Sequence, residues 1–257
     1  MKTILKRIII GALAVSVPVG GTIFYLSTQS NSNEKEKNNS SEVDNKKDDD
    51  VNRIPTDAKD TSSHKERIEL FRDSYDNDEV VAVLSIPNSS LDVAVVQHED
   101  NDYYLNHDAD KTEKIEGSVF LDYRSDVNSG RKNIIYGHNG NEDCMNVPFA
   151  ELEKYYDKAY FDNHQFIKLE DEEGVGTYQI FSVYVETNGL DYMLMNFDKE
   201  GWIEHLSYLK NNSLYNTNVD VDASDELLIL QTCSHNEDYA KYKDKYLLVV
   251  AKRVRYE

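Results

Sequence analysis

The sequence predicts a mainly-β fold, a closed or nearly closed barrel of eight short strands, carried behind an apolar amino-terminal segment and a polar tether. Three observations predict it. Eight short runs rich in β-branched and aromatic residues follow one another between positions 80 and 254. Polar turns containing Gly or Asn separate most of them. Helical spacing occurs in only a few stretches, so the strands have to close on one another to bury their apolar faces.

The amino end comes first. Lys2, Lys6 and Arg7 precede Ile8–Leu26, 19 residues without a charge. That length spans the hydrocarbon core of a bilayer as a helix, Pro18 notwithstanding. Basic residues before the span and an acidic chain after it favour an inside amino terminus. The rival is a cleaved signal peptide, but Phe24-Tyr25-Leu26 makes a poor cleavage site. The expected organisation is a signal anchor over 1–26, a flexible tether over 27–62, and an extracellular folded domain over 63–257. The tether is mostly Asn, Ser, Lys, Asp and Glu, with too little apolar surface to fold.

Ile68, Phe71 and Tyr75 sit at helical spacing and predict a helix over Ser63–Tyr75. The expected strands are Val80–Ile86, Leu91–Val96, Ser118–Leu121, Asn133–Tyr136, Phe166–Leu169, Thr177–Val185, Glu226–Gln231 and Tyr246–Val254. Helical interruptions are expected at Val147–Tyr156 and Lys199–Asn211. In the second, Trp202, Leu206 and Leu209 form a core-facing stripe.

Charge and cysteine content exclude several functions. With 28 basic against 48 acidic residues the net charge is −20. Such a surface repels phosphates, and no basic stripe with interleaved aromatics appears, so nucleic-acid binding is excluded. Only two cysteines occur, Cys144 in a polar loop and Cys233 at the end of an apolar run, too few for a disulfide scaffold. Their contrasting contexts read as two unpaired thiols. The histidines are scattered without zinc-like spacing, and no EF-hand pattern is present, so no metal or other cofactor is expected.

Cys233 follows the buried run Leu227–Gln231, where a rigid backbone can present a thiol to a groove. His138 lies just beyond Ile134-Ile135-Tyr136 and directly after Gly137, whose missing side chain permits close approach or a positive φ. Imidazole exchanges protons near neutrality. Taken singly, each also reads as an ordinary residue, a buried structural cysteine or a polar loop histidine.

Together they form a pattern. Ile135-Tyr136-Gly137-His138-Asn139 is followed by Leu230-Gln231-Thr232-Cys233, with IPNSSLDVAVVQHEDNDYYLNHD and GSVFLDYRSD upstream in that order. This ordered set, from about Val80 to Val254, resembles the sortase family and specifically its class B. The resemblance implies an eight-stranded β-barrel with a helical insertion before the last two strands. It also implies a membrane-anchored cysteine transpeptidase of Gram-positive cell surfaces. Its thiolate, here Cys233, would attack the Thr carbonyl of an Asn-Pro-x-Thr-like sorting signal, with His138 protonating the leaving amine. An amine of a cell-wall precursor would then resolve the thioacyl enzyme.

Sortases place an arginine at the start of the last strand. Counting back from Ala251-Lys252, that position is Tyr246 here, with Lys245 as its cationic neighbour and the alternative for the third role. Ile229 likewise stands where the family motif usually begins with Thr. Thr232 is expected to shape the substrate groove. Other readings of the same pair are a cysteine peptidase, a pilin-polymerising sortase, or a non-catalytic wall protein that binds peptides.

Overall fold

A computed structural model of the chain describes residues 61–128, 130–140 and 147–254. The expected anchor over 1–26, the tether as far as residue 60, and Cys144 lie outside the described residues. Among those described, no helix is long and apolar enough to cross a membrane.

The chain opens with helix α1 (Thr61–Tyr75), followed by strands β1 (Val80–Ser85), β2 (Asp92–Val96), β3 (Phe120–Leu121) and β4 (Lys132–Tyr136). A 3₁₀ segment (Pro148–Tyr156) and helix α2 (Lys158–Asn163) lead to β5 (Phe166–Glu170) and the long β6 (Val175–Glu186). Helix α3 (Lys199–Asn211) then precedes the last pair, β7 (Leu227–Cys233) and β8 (Tyr246–Arg253). The strands close into a barrel in the order β1-β2-β3-β4-β7-β8-β6-β5. The eight expected strands are all present.

Each strand sends alternate side chains into the barrel, the period-two geometry of extended chain. Leu84, Val95, Leu121, Ile135, Leu169, Ile180, Leu230 and Val249, one from each strand, belong to a single buried cluster. A second cluster covers the outer face of β4, β7 and β8, where Ile134, Ile229, Leu248 and Val250 meet Trp202, Leu206 and Leu209 of α3. Burying each such leucine contributes roughly 1.5–3 kcal/mol. Strands covered on both faces read as continuous apolar runs, which explains why Leu227–Leu230 shows no polar alternation.

Most departures from expectation have local causes. Helix α1 starts two residues early because its first turn is polar and adds nothing to the Ile68-Phe71-Tyr75 periodicity. The segment expected to be helical from Val147 is a 3₁₀ turn entered through Pro148, whose fixed φ suits a first helical position. Helix α2 carries no periodic signal because it buries only Phe161; Asp157 caps it by accepting from the Ala159 amide at 2.8 Å. Strand β7 outlasts its apolar run because pairing with β8 continues through Thr232↔Leu247 to Cys233↔Tyr246.

Candidate active site

The parallel pair β4–β7 builds the site. Its register sets Lys132 beside Leu227 and Tyr136 beside Gln231, an offset of 95 (231 − 136). The same offset separates His138 from Cys233 (233 − 138), so both strands deliver their candidate residues two positions past the last pair, on one rim of the barrel. Antiparallel strands would send the two ends to opposite rims.

Three hydrogen bonds staple the strand ends together. The Gly137 amide donates to the Gln231 carbonyl at 3.2 Å, the Thr232 hydroxyl to the Gly137 carbonyl at 2.8 Å, and Asn139 Nδ2 to the Cys233 carbonyl at 2.7 Å. Thr232, expected to shape the groove, is fully buried and ties the His138 turn to the Cys233 strand. Gly137 serves close approach rather than a positive φ. A Cβ built there would lie 2.7 Å from the Phe149 ring.

His138 donates its Nε2–H to the Leu105 carbonyl at 2.7 Å. A carbonyl can only accept, so in the neutral ring the proton sits on Nε2 and Nδ1 keeps its lone pair for proton exchange. Leu105 ends a 3₁₀ turn (Tyr103–Leu105) held by stacking of Tyr103 on His107, ring centroids 4.0 Å apart, and by His107 Nδ1 donating to the Tyr103 carbonyl at 2.8 Å. Sequence reasoning missed this partner, because a backbone acceptor leaves no side-chain signal.

Cys233 is partly exposed and unpaired. Burial pushes its thiol above the ordinary value, and the nearby Lys245 ammonium pulls only partly the other way. Tyr246 pairs directly with Cys233 across β7–β8, so the two side chains project from the same face. Burial, then Asp244 and Cys233, raise the Tyr246 phenol, which therefore stays a neutral donor. The amides that follow the thiol are spent. Ser234 N–H goes to the Lys245 carbonyl at 3.0 Å, His235 N–H to Glu153 Oε1 at 2.7 Å, and Asn236 N–H to the Ser234 hydroxyl at 3.3 Å.

A family model described as the sortase domain matches residues 84–254. The chain belongs to the sortase family. A sortase B of Listeria monocytogenes is 36% identical over 169 residues, covering 64% of this chain and 67% of that protein. The solved Staphylococcus aureus sortase B–substrate complex is 27% identical with a TM-score of 0.65, covering 77% of this chain and 90% of that one. A crystal structure of sortase B complexed with triglycine matches with a TM-score of 0.66 at 27% identity, over 77% and 91% of the two chains. These relatives assign the chain to class B, within a family of surface-protein transpeptidases.

Behind the rim of this sortase lies a buried carboxylate that the sequence did not single out. Asp122, fully buried, accepts from Arg124 Nε at 2.8 Å and Nη2 at 2.7 Å, from the Tyr136 hydroxyl at 2.8 Å and from Asn101 Nδ2 at 3.0 Å. Burial alone would raise its pKa, but the Arg124 and Tyr136 hydrogen bonds outweigh it and hold the carboxyl below its usual range. A carboxylate depressed in the folded state stabilises the fold above its unfolded pKa, about 3.9. That contribution is lost as pH falls through the folded value. Asp122→Asn should cost about 2 kcal/mol at pH 7, measured by urea unfolding, and the penalty should shrink below about pH 4.

Proposed function

We propose that this chain is a membrane-anchored transpeptidase whose Cys233 cleaves a surface-protein sorting signal after Thr and transfers the acyl group to a cell-wall amine. The observation that carries the reading is the shared register of β4, β7 and β8, which brings His138 and Tyr246 to the Cys233 end of the strands. The solved complexes of related sortase B proteins with substrate and with triglycine support a peptide donor and a glycine-like acceptor.

The reaction balances as two acyl transfers. Cys233 thiolate adds to the Thr carbonyl carbon, and the carbonyl oxygen takes the negative charge. The tetrahedral adduct collapses, the C–N bond breaks, and imidazolium at His138 gives its proton to the departing amine. The acceptor amine then adds to the thioester and loses a proton to His138, and the thiolate leaves. With the amides of residues 234–236 already committed, oxyanion stabilisation falls to a side chain. The Tyr246 hydroxyl takes that role, and Lys245 biases the thiol toward thiolate. The apolar segment Ile8–Leu26 anchors the enzyme with its barrel outside the cell.

The test incubates the full chain in mild detergent with an Asn-Pro-x-Thr-type peptide and triglycine, followed by mass spectrometry. The expected products are a thioacyl adduct on Cys233 and a triglycine-extended peptide. Hydrolysed peptide alone would favour a peptidase, and binding without any adduct would favour a non-catalytic wall protein. Tyr246→Phe keeps the ring and loses the donor, so adduct formation should slow about 10- to 100-fold with little change in peptide affinity.

A further inference from the structure

Lys132, the first residue of β4, is 3% exposed, yet its three hydrogen-bond partners are uncharged. Nζ donates to the carbonyls of Tyr192 and Leu194, the latter at 2.7 Å, and to His205 Nε2 of α3 at 2.9 Å. Burial, then the Lys132 charge, pushes His205 down to about 3, so the imidazole is a neutral acceptor. Burial, then Arg124, brings Lys132 itself down to about 7, with Asp122 opposing. An ammonium buried among neutral acceptors carries a desolvation cost of several kcal/mol, which its three hydrogen bonds offset only in part. Net fold stability is therefore a weak explanation for this residue.

Its contacts lead toward the active site. Residues 187–198 connect β6 to α3 and contain little regular structure beyond one 3₁₀ turn, Asp191–Met193. Two of their carbonyls end on the one ammonium. At the first of those carbonyls the chain turns the ring of the same residue, Tyr192, inward, 1% exposed, to lie 6.3 Å from the Tyr246 ring. Tyr246 in turn faces Cys233 across β7–β8. The Tyr192 phenol is raised first by burial and then by Tyr246 and Cys233, so it lies within electrostatic reach of both.

We propose that Lys132 is a positioning residue for acyl transfer: its buried ammonium clasps the 187–198 connection and so seats the Tyr192 ring that holds Tyr246 opposite Cys233. The inference rests on Cys233 being the nucleophile. The path is long, from the far end of β4 to the reacting rim, but every link is a direct hydrogen bond, a ring pair or a strand pair, and no link needs substrate.

The experiment compares the full chain with its Lys132→Met and Lys132→Gln variants by thermal unfolding, amide hydrogen exchange and thioacylation kinetics with the sorting-signal peptide. Lys132→Met should still fold, with a melting temperature within a few degrees of the parent, because the desolvation cost removed with the ammonium offsets the acceptors left unpaired. Its 187–198 amides should exchange about 10-fold faster while those of the barrel strands stay as before. The thioacylation kcat should fall about 10-fold with KM changed less, because the clasp acts on the placement of the reacting group. Lys132→Gln keeps two N–H donors without the charge and should recover part of both effects. Failure of Lys132→Met to fold would make the residue a structural requirement and overturn the proposal. Wild-type kcat, or unchanged exchange in 187–198, would overturn it equally. Exchange uses no substrate, so a wild-type chain that acylates no peptide would count against the transpeptidase reading, and exchange would still decide the clasp.

Discussion

Cys233→Ala should abolish the thioacyl adduct and reduce peptide transfer to background, a loss of more than about 1,000-fold, while the protein remains folded. The side chain is partly exposed at the end of β7 and packs in neither buried cluster, so its sulfur contributes little to the core. Hydrogen bonds hold the chain at the residue and directly after it. The Cys233 carbonyl is held by Asn139, and the next residue, Ser234, shares a 2.7 Å hydrogen bond with the Tyr156 hydroxyl. Because burial raises the thiol, the resting enzyme is mostly protonated at neutral pH. Alkylation of Cys233 should therefore accelerate as pH rises past the ordinary thiol range, and Lys245→Ala should move that rise to higher pH. A rate independent of pH between about 7 and 9 would show an already ionised thiolate and contradict the assignment. Mass spectrometry of the alkylated peptide reads both.

Gly137→Ala should be the most damaging change at a residue with no chemistry of its own. Its Cβ would lie 2.7 Å from two ring carbons of Phe149, which is fully buried and unable to swing into solvent. Either the His138 turn or the Pro148–Tyr156 segment must move. The first displaces the imidazole. The second displaces Tyr156 and Glu153, which hold Ser234 and the His235 amide directly after the thiol. Overpacking of this kind costs about 1–3 kcal/mol of stability. A displacement near 1 Å at the reacting groups costs on the order of 100-fold in rate. The double variant Gly137→Ala/Phe149→Leu frees space and should recover part of both losses. Wild-type kinetics in Gly137→Ala would mean that the turn is not held against Phe149 during turnover.

Much of the architecture was legible because burial leaves marks on side-chain pattern. Leu227–Leu230 reads as a strand covered on both faces, and it is. Trp202, Leu206 and Leu209 read as one face of a helix, and they pack together against the barrel. The motif around Gly137 and His138, set beside the one ending at Cys233, pointed to the family before any contact was known. Lys132 did not stand out. A lysine at a strand's edge ordinarily marks solvent, and the expected strand began one residue later, at Asn133. Nor did the Leu105 carbonyl, the Asn139 bond or the Asp122 cluster, since partners far apart in the chain have no local spacing to betray them.

The sequence by itself determined the strands, the helical insertion and the identity of the two residues proposed for the chemistry, because periodicity and motif are properties of neighbours along the chain. Only the tertiary structure decided how those residues meet. The parallel pairing of β4 with β7 turns a separation of 95 positions into adjacency (231 − 136). The β7–β8 register sets Tyr246, rather than Lys245, opposite the thiol. Packing of α3 and the 187–198 connection on the outer face of the barrel buries Lys132. Register is a relation between strands, set by which faces can be buried together, and one strand's sequence does not contain it.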